Sequence, residues 1–364
     1  MTEMRHLLEL LIARGASDLH IASGSPPRLR IDGTLAPLTG AAPLTTYDSE
    51  RMAYSLLSDA QKRQFEAQQE LDFAFDIDAL GRFRGNVYRE RGAVAVAIRG
   101  LPRRICSLEQ LGLPPVVGEL TRRPKGLILI TGPTGSGKST TVAAMIDTIN
   151  AERSAHIVTI EDPIEFVHPH KRSLVSQREV PSDTPSFRNA LRAILRQDPD
   201  VVLVGEMRDL ETIAAALSLA ESGHLTLGTL HTNSCAQTMH RIIDAFPPEQ
   251  QDQIRAQLSL VLEAVISQAL IPRAGGGRAL ALEVMVTTPA IRNLIRENKV
   301  HQIYATMQSS AGAGMQTLNA SLCGLVARRA ISRAAALAAS MLPDELARLL
   351  GPAAGTAPTA SILG

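Results

Sequence analysis

The stretch Gly132-Pro133-Thr134-Gly135-Ser136-Gly137-Lys138-Ser139-Thr140 comes after an apolar run over 126–131 and precedes a helical pattern. It has the form G-x-x-x-x-G-K-[ST]. No other feature restricts the fold as much, because such a loop works only between a buried strand and a helix. Each residue type has a physical reason. Glycines let successive N–H groups turn inward around a phosphate chain, and the helix after the loop adds its positive end. Lys138 neutralises β/γ oxygens and Ser139 ligates Mg²⁺. The competing reading, a glycine-rich strand-to-helix turn with an exposed lysine, leaves the flanking pattern to chance.

From about residue 125 the apolar runs at 126–131, 156–160, 201–205 and 225–230 alternate with helical patterns. Runs of this kind belong to strands covered on both faces, so a largely parallel α/β sheet is expected. One more strand is expected over 279–286, after Gly275-Gly276-Gly277, and then helices to about residue 350.

Two acidic clusters close buried strands: Ile160-Glu161-Asp162-Pro163-Ile164-Glu165, and Asp198-Pro199-Asp200 through Gly205-Glu206. In an open parallel sheet ligands bind beyond the carboxyl ends of the strands, so both clusters should face the phosphate loop. There a carboxylate holds Mg²⁺ through water or orients an attacking water. The plainer alternative is that these acids cap the next helices along the chain. His224 and His231 flank the run over 225–230, on opposite faces if the strand is straight. A histidine at a strand end is commonly no more than a satisfied polar group, and no third ligand stands at metal-binding spacing.

Composition excludes several classes. The chain has 364 residues with 45% hydrophobic content, enough for two or so domains. Its 37 basic and 36 acidic residues nearly cancel, and aromatic content is 3%, which argues against a nucleic-acid partner gripped by bulk charge or base stacking. Cys106, Cys235 and Cys323 are widely spaced and form no C-x-x-C, so neither a disulfide framework nor a cysteine-rich zinc site is expected. No run of about 18 uncharged apolar residues occurs. Residues 1–14 carry charges among apolar positions and read as an amphipathic helix, not a signal peptide. A cytoplasmic protein with no membrane span is expected, any membrane role coming through a partner.

The first hundred residues read as α+β: a helix to about residue 14, strands near 18–22 and 27–31, and a turn at Asp32-Gly33. Ser58-x-x-Gln61 has capping-box spacing. Three strands come next, near 71–77, 82–88 and 93–99. Pro102 and Pro114-Pro115 bracket a connector rich in helix breakers. The expected division is a first domain over 1–100, a linker over 101–115, an α/β core over 116–286, a helical region over 287–350 and a tail over 351–364.

Taken in order, G-P-T-G-S-G-K-S-T, I-E-D-P-I-E-F, D-P-D-V-V-L-V-G-E-M-R-D and E-S-G-H-L-T-L-G-T-L-H-T resemble one set of motifs. They are the Walker A, Asp box, Walker B and His box of the secretion ATPase superfamily, the motors of type II secretion and type IV pili. Gly15-Ala16-Ser17-Asp18-Leu19-His20 and Leu29-Arg30-Ile31-Asp32-Gly33 are similar to its first domain. Ala290-Ile291-Arg292-Asn293-Leu294-Ile295-Arg296-Glu297 is similar to the helix of its retraction branch.

The resemblance implies a PAS-like α+β N-terminal domain followed by a RecA-like P-loop ATPase domain with a helical C-terminal region. It implies ATP and Mg²⁺ as cofactors and a homohexamer that powers pilus retraction. That ring would act on an inner-membrane platform protein, from the cytoplasm at the pilus base. It makes Glu206 the Walker B glutamate, which reaches Mg²⁺ through water. Glu161, Asp162 and Glu165 become the Asp box, with Glu165 as base, and His224 and His231 the His box. Arg84 and Arg99 become first-domain arginines that reach the phosphates as the ring interface closes, where a guanidinium fork suits growing charge on a transferring phosphoryl group.

Alternatives stay open within the superfamily: an accessory retraction paralogue, or a pilus-assembly or type II secretion ATPase. Assembly motors usually have a longer N-terminal region and a four-cysteine zinc motif. From another class, a nucleotide-binding regulatory ring subunit that does not hydrolyse ATP remains. The helix near 290–297 also reads without the family. Thr288-Pro289 caps it, Ile291, Leu294 and Ile295 make an apolar face, and Arg292, Asn293, Arg296 and Glu297 fall on a solvated side. The resemblance promotes that side to a contact surface needed for retraction.

Overall fold

A computed structural model describes residues 2–31, 33–102 and 104–351. The expected turn residue Asp32 and the tail from 352 onward lie outside the described residues. The chain divides into two compact units: residues 1–105 together with 163–167, and residues 106–162 together with 168–364.

In the first unit, α1 (Thr2–Ala13), β1 (Asp18–Ile21), β2 (Arg28–Ile31) and β3 (Thr34–Pro37) are followed by α2 (Thr46–Tyr54) and α3 (Asp59–Gln68). Then come β4 (Glu70–Ile77), β5 (Gly81–Glu90) and β6 (Ala93–Gly100). Both short helices start on reciprocal capping boxes, Thr45 with Asp48 and Ser58 with Gln61, which satisfy N–H groups that the first helical turn leaves unpaired. The six strands pair antiparallel in the order β3-β2-β1-β6-β5-β4. Alternation along them sends Leu19, Phe83, Val87, Val96 and Ile98 to a core shared with Leu8 and Leu11 of α1 and Phe65 of α3. The register sets Arg84 directly opposite Arg99, and Arg99 opposite Asp18.

The second unit begins with α4 (Pro115–Thr121), β7 (Gly126–Thr131), α5 (Lys138–Glu152), β8 (His156–Glu161), β9 (Leu174–Glu179), α6 (Phe187–Ile194), β10 (Val201–Val204) and α7 (Leu210–Glu221). It continues with β11 (Leu225–Leu230), α8 (Cys235–Ile243), α9 (Gln251–Val261), β12 (Leu262–Pro272) and β13 (Arg278–Val286). It closes with α10 (Pro289–Arg296), α11 (Ile303–Ser309), α12 (Leu318–Ala327), α13 (Arg333–Ala339) and α14 (Pro343–Leu350). Sheet order is β13-β12-β7-β11-β10-β8-β9, with every neighbouring pair parallel except β12 with β13.

Every residue of β7, β10 and β11 is buried. Successive side chains point to opposite faces, so Leu127, Leu129, Val202 and Val204 pack on α7, α8 and α9. Ile128, Ile130, Val201 and Leu203 pack on α4 and α5. A separate cluster joins Ile271 and Ala281 to Leu322, Leu325, Ala336 and Leu346 of the last helices. The fold is thus α/β with helices on both faces of the sheet of the second unit. Among the described residues no helix is long and apolar enough to cross a membrane.

Two strands of this sheet lie beyond the sequence expectation. β9 is an edge strand with only two apolar residues, Leu174 and Val175, followed by four polar or charged ones, instead of running apolar. β12 starts at Leu262 directly where α9 ends at Val261, with no glycine or proline between them.

Candidate active site

The phosphate loop leaves the end of β7 and turns at Gly132, Gly135 and Gly137, all with positive φ. Gly132 is obligatory on two counts. Its φ of 140° suits glycine alone, and a β-carbon there would fall 2.4 Å from the Gln268 backbone carbonyl oxygen. Gly137 occupies the N-cap of α5 without a side-chain cap, so the first N–H groups of that helix stay available to an anion. Lys138 Nζ donates to Gly132 O at 2.8 Å and Pro133 O at 3.1 Å, which folds the ammonium back over the loop. Pro133, Thr134, Gly135 and Ser139 are at least partly exposed, while the Ser136 side chain is buried under them.

Because β7, β8, β10 and β11 are parallel, the segments leaving their carboxyl ends gather at one edge of the sheet. Glu206, two residues past β10, is held on two sides. Arg208 engages it with a fork, Nε to Oε1 and Nη2 to Oε2, both 2.7 Å, and His231 Nε2 lies 3.0 Å from Oε1. Partial burial pushes the Glu206 pKa up. The hydrogen bond and charge of Arg208, with those of His231, outweigh that and hold it below its ordinary 4.5. The carboxylate is therefore ionised at neutral pH, and Arg208 is driven further toward its charged form.

Glu161 ends β8 beside this group. Its Oε1 accepts from Thr159 Oγ1 at 2.7 Å and Gln177 Nε2 at 3.1 Å, while Asp162 adds negative charge near Arg208. Gly205 makes the approach of β8 and β10 possible: its N–H donates to Ile160 O at 2.8 Å, and a β-carbon would meet that oxygen at 2.8 Å. Glu165 belongs instead to the first unit, in the segment 163–167, where Arg82 Nε donates to Ile164 O at 3.1 Å.

The remaining expected residues are separated from this edge or lie in the other unit. His224 precedes β11, at the opposite end of the strand from His231, and its Nδ1 lies 3.0 Å from both Leu219 O and Ser222 Oγ. With about 3.3 Å per strand residue, roughly 20 Å separates the two histidines, so the structure does not bring His224 to the phosphate loop of its own chain. Arg84 and Arg99 face each other in the first unit, each with an acid: Arg84 Nη2 is 3.7 Å from Asp72 Oδ1, and Arg99 Nε is 2.8 Å from Asp18 Oδ1. Burial opposes ionisation of Asp18, but the Ser17 hydroxyl and Arg99 together leave its pKa lowered.

One reading is corrected. Arg292 is not on a solvated face of α10. Its Nη1 donates at 2.7 Å to both Ser259 O and Leu260 O near the end of α9, and Nη2 lies 2.9 Å from Glu263 Oε1. Unpaired carbonyls at a helix end attract a cation, which is why the side chain folds inward. Arg296 is exposed, with Nη2 on Asn293 Oδ1. Arg208 is the residue sequence reasoning passed over; its signal was a basic side chain two positions after the strand-end carboxylate.

Residues 3–276 match the family model of the type II/IV secretion system protein. The chain is 48% identical to the type IV pilus retraction ATPase PilT of Pseudomonas aeruginosa over 342 residues, 94% of this chain and 99% of that one. It is 40% identical to the type IV pilus ATPase PilU of the same organism, over 92% of this chain and 88% of that one. A crystal structure of the pilus retraction motor PilT with bound ADP matches at a TM-score of 0.89 and 52% identity, covering 94% of this chain and 98% of that one.

Proposed function

Because this chain belongs to the type II/IV secretion system protein family, we propose that it is the motor that withdraws type IV pili, a homohexamer working on a platform protein of the inner membrane. ATP hydrolysis is its chemistry. The observation that carries the retraction reading is the reach of the likeness, which runs the length of a retraction ATPase and past residue 276, where the family model ends.

The loop fits a nucleotide. The start of α5 has no side-chain cap, the Lys138 ammonium rests on two loop carbonyls, and an ionised carboxylate stands at the same sheet edge. On this reading the N–H groups of Gly132 to Thr140 hold the phosphates and Lys138 turns to the β/γ oxygens. Ser139 holds Mg²⁺, with Glu206 reaching it through water. The metal, when bound, supplies charge neutralisation at the transferring phosphoryl group. Arg208 and His231 keep Glu206 ionised and aimed. Glu161 and Asp162 complete the acidic group, Glu165 orients the attacking water, and Arg84 with Arg99 offer guanidinium forks from the first unit.

Deletion of the gene for this chain is the test. Surface pili should remain or increase while twitching motility disappears. Loss of the pili themselves would instead make the chain an assembly ATPase, and weakened but persistent retraction would make it an accessory motor.

A further inference from the structure

Beneath the phosphate loop lies an amide with no hydrogen-bond partner among the described residues. Gln268 sits in β12, one residue past Ser267, which is in register with Thr131 at the end of β7. It is 2% exposed, and neither Oε1 nor Nε2 makes a hydrogen bond to any described residue. Two buried hydroxyls on the strand end and loop share that condition, Thr131 Oγ1 and Ser136 Oγ. Gly132 locates them together: a β-carbon on it would fall 2.4 Å from the Gln268 backbone carbonyl oxygen and 2.6 Å from Ser136 Oγ. At the far end of the loop, a β-carbon on Gly137 would lie 3.8 Å from Gln268 Nε2. The side chain therefore runs under the loop toward the residue that caps α5.

A buried amide left unpaired at both ends is costly, and folds keep such groups where another state pairs them. The loop has a reason to possess a second state, because Lys138 Nζ occupies the carbonyls of Gly132 and Pro133 and must leave them to reach phosphate.

We propose that Gln268 is a positioning residue for the phosphate loop, its amide bonding the underside of the loop when nucleotide is held. The amide oxygen accepts from the Ser136 hydroxyl and the amide nitrogen donates to a loop carbonyl. Only a side chain that donates and accepts at once closes this set. Gln268 thereby holds the loop N–H groups in the arrangement that grips the phosphates, without touching the nucleotide.

The inference rests on the reading of Gly132 to Thr140 as the ATP site. The experiment compares the full-length wild type with Gln268→Leu and Gln268→Met, measuring kcat and KM for Mg-ATP, Kd for ADP, and the thermal midpoint. KM and the ADP Kd should each rise about tenfold, with kcat changed by much less. The midpoint should hold or rise, because an apolar group replaces an unpaired amide. KM and Kd within about twofold of wild type would overturn the proposal, as would losses in both variants that merely track a lowered midpoint. A wild type that binds no ATP would overturn the reading of the loop, and this proposal with it.

Discussion

Glu206 Oε1 lies 3.0 Å from His231 Nε2, which joins the carboxylate after β10 to the imidazole after β11 at the phosphate-loop edge. The Arg208 fork closes the other side of the same carboxylate. Arg208 and His231 thus flank the Glu206 carboxylate from two adjacent strand ends, which governs the titration and the rigidity of Glu206.

The pKa of Glu206 is depressed in the folded protein, so the charge and the stability it brings are present above the ordinary 4.5 and are lost as pH falls through the lower folded value. Arg208→Ala removes the strongest force holding it down, leaving burial opposed by His231 alone. The acidic limb of kcat/KM should therefore move to higher pH in Arg208→Ala. An unmoved acidic limb would show that Arg208 does not govern this carboxylate.

Glu206→Gln keeps the shape of the side chain but removes the charge. We expect kcat to fall by about 10²- to 10³-fold, the range for losing one preorganised electrostatic partner of the transition state, while ADP binding stays near wild type. Steady-state ATPase rates beside equilibrium ADP titration would check this.

The two arginines of α10 should part company. Arg292→Ala strands the two α9 carbonyls and leaves Glu263 with Arg123 alone, at a cost of about 1–3 kcal/mol in unfolding free energy. Arg296→Ala should stay within about 0.5 kcal/mol, as exposed substitutions usually do. Denaturant titration of both variants distinguishes these outcomes. Any retraction defect of Arg292→Ala then has to be read against its lost stability, whereas Arg296→Ala reports on the surface alone.

Gly205→Ala should separate β8 from β10. The new methyl would meet the Ile160 carbonyl oxygen at 2.8 Å and Glu161 Cα at 3.2 Å, both backbone atoms that cannot swing aside. Overpacking of this kind costs about 1–3 kcal/mol, and because Glu206 is the next residue, ATPase activity should fall further than the stability loss explains. Matched thermal melts and rate measurements would reveal the difference.

Four strands buried on both faces were legible, since β7 and β11 coincide with apolar runs and β8 and β10 nearly so. Edge strand β9 was hidden because four of its six residues, Ser176 to Glu179, are polar or charged and form neither an apolar run nor an alternation. β12 was hidden because it continues α9 without a breaker, and with it went Gln268, whose place beneath the loop depends on sheet order that local patterning does not contain. The same limit applies to charge. Arg292 reads as solvated from helical periodicity alone, and only packing against α9 supplies the carbonyls that draw it in. The sequence puts His224 and His231 at the two flanks of one strand, and only the direction of that strand in a parallel sheet shows that His231 is the one at the phosphate-loop edge.

The central claim is that ATP turnover at this loop withdraws pili. Cells whose only copy carries Lys138→Ala, with the variant present at wild-type level, test it by live imaging of labelled pili. The expected result is pili that extend and then stay extended, with no retraction events and no twitching. Retraction at the wild-type rate would contradict the claim, and so would cells without pili.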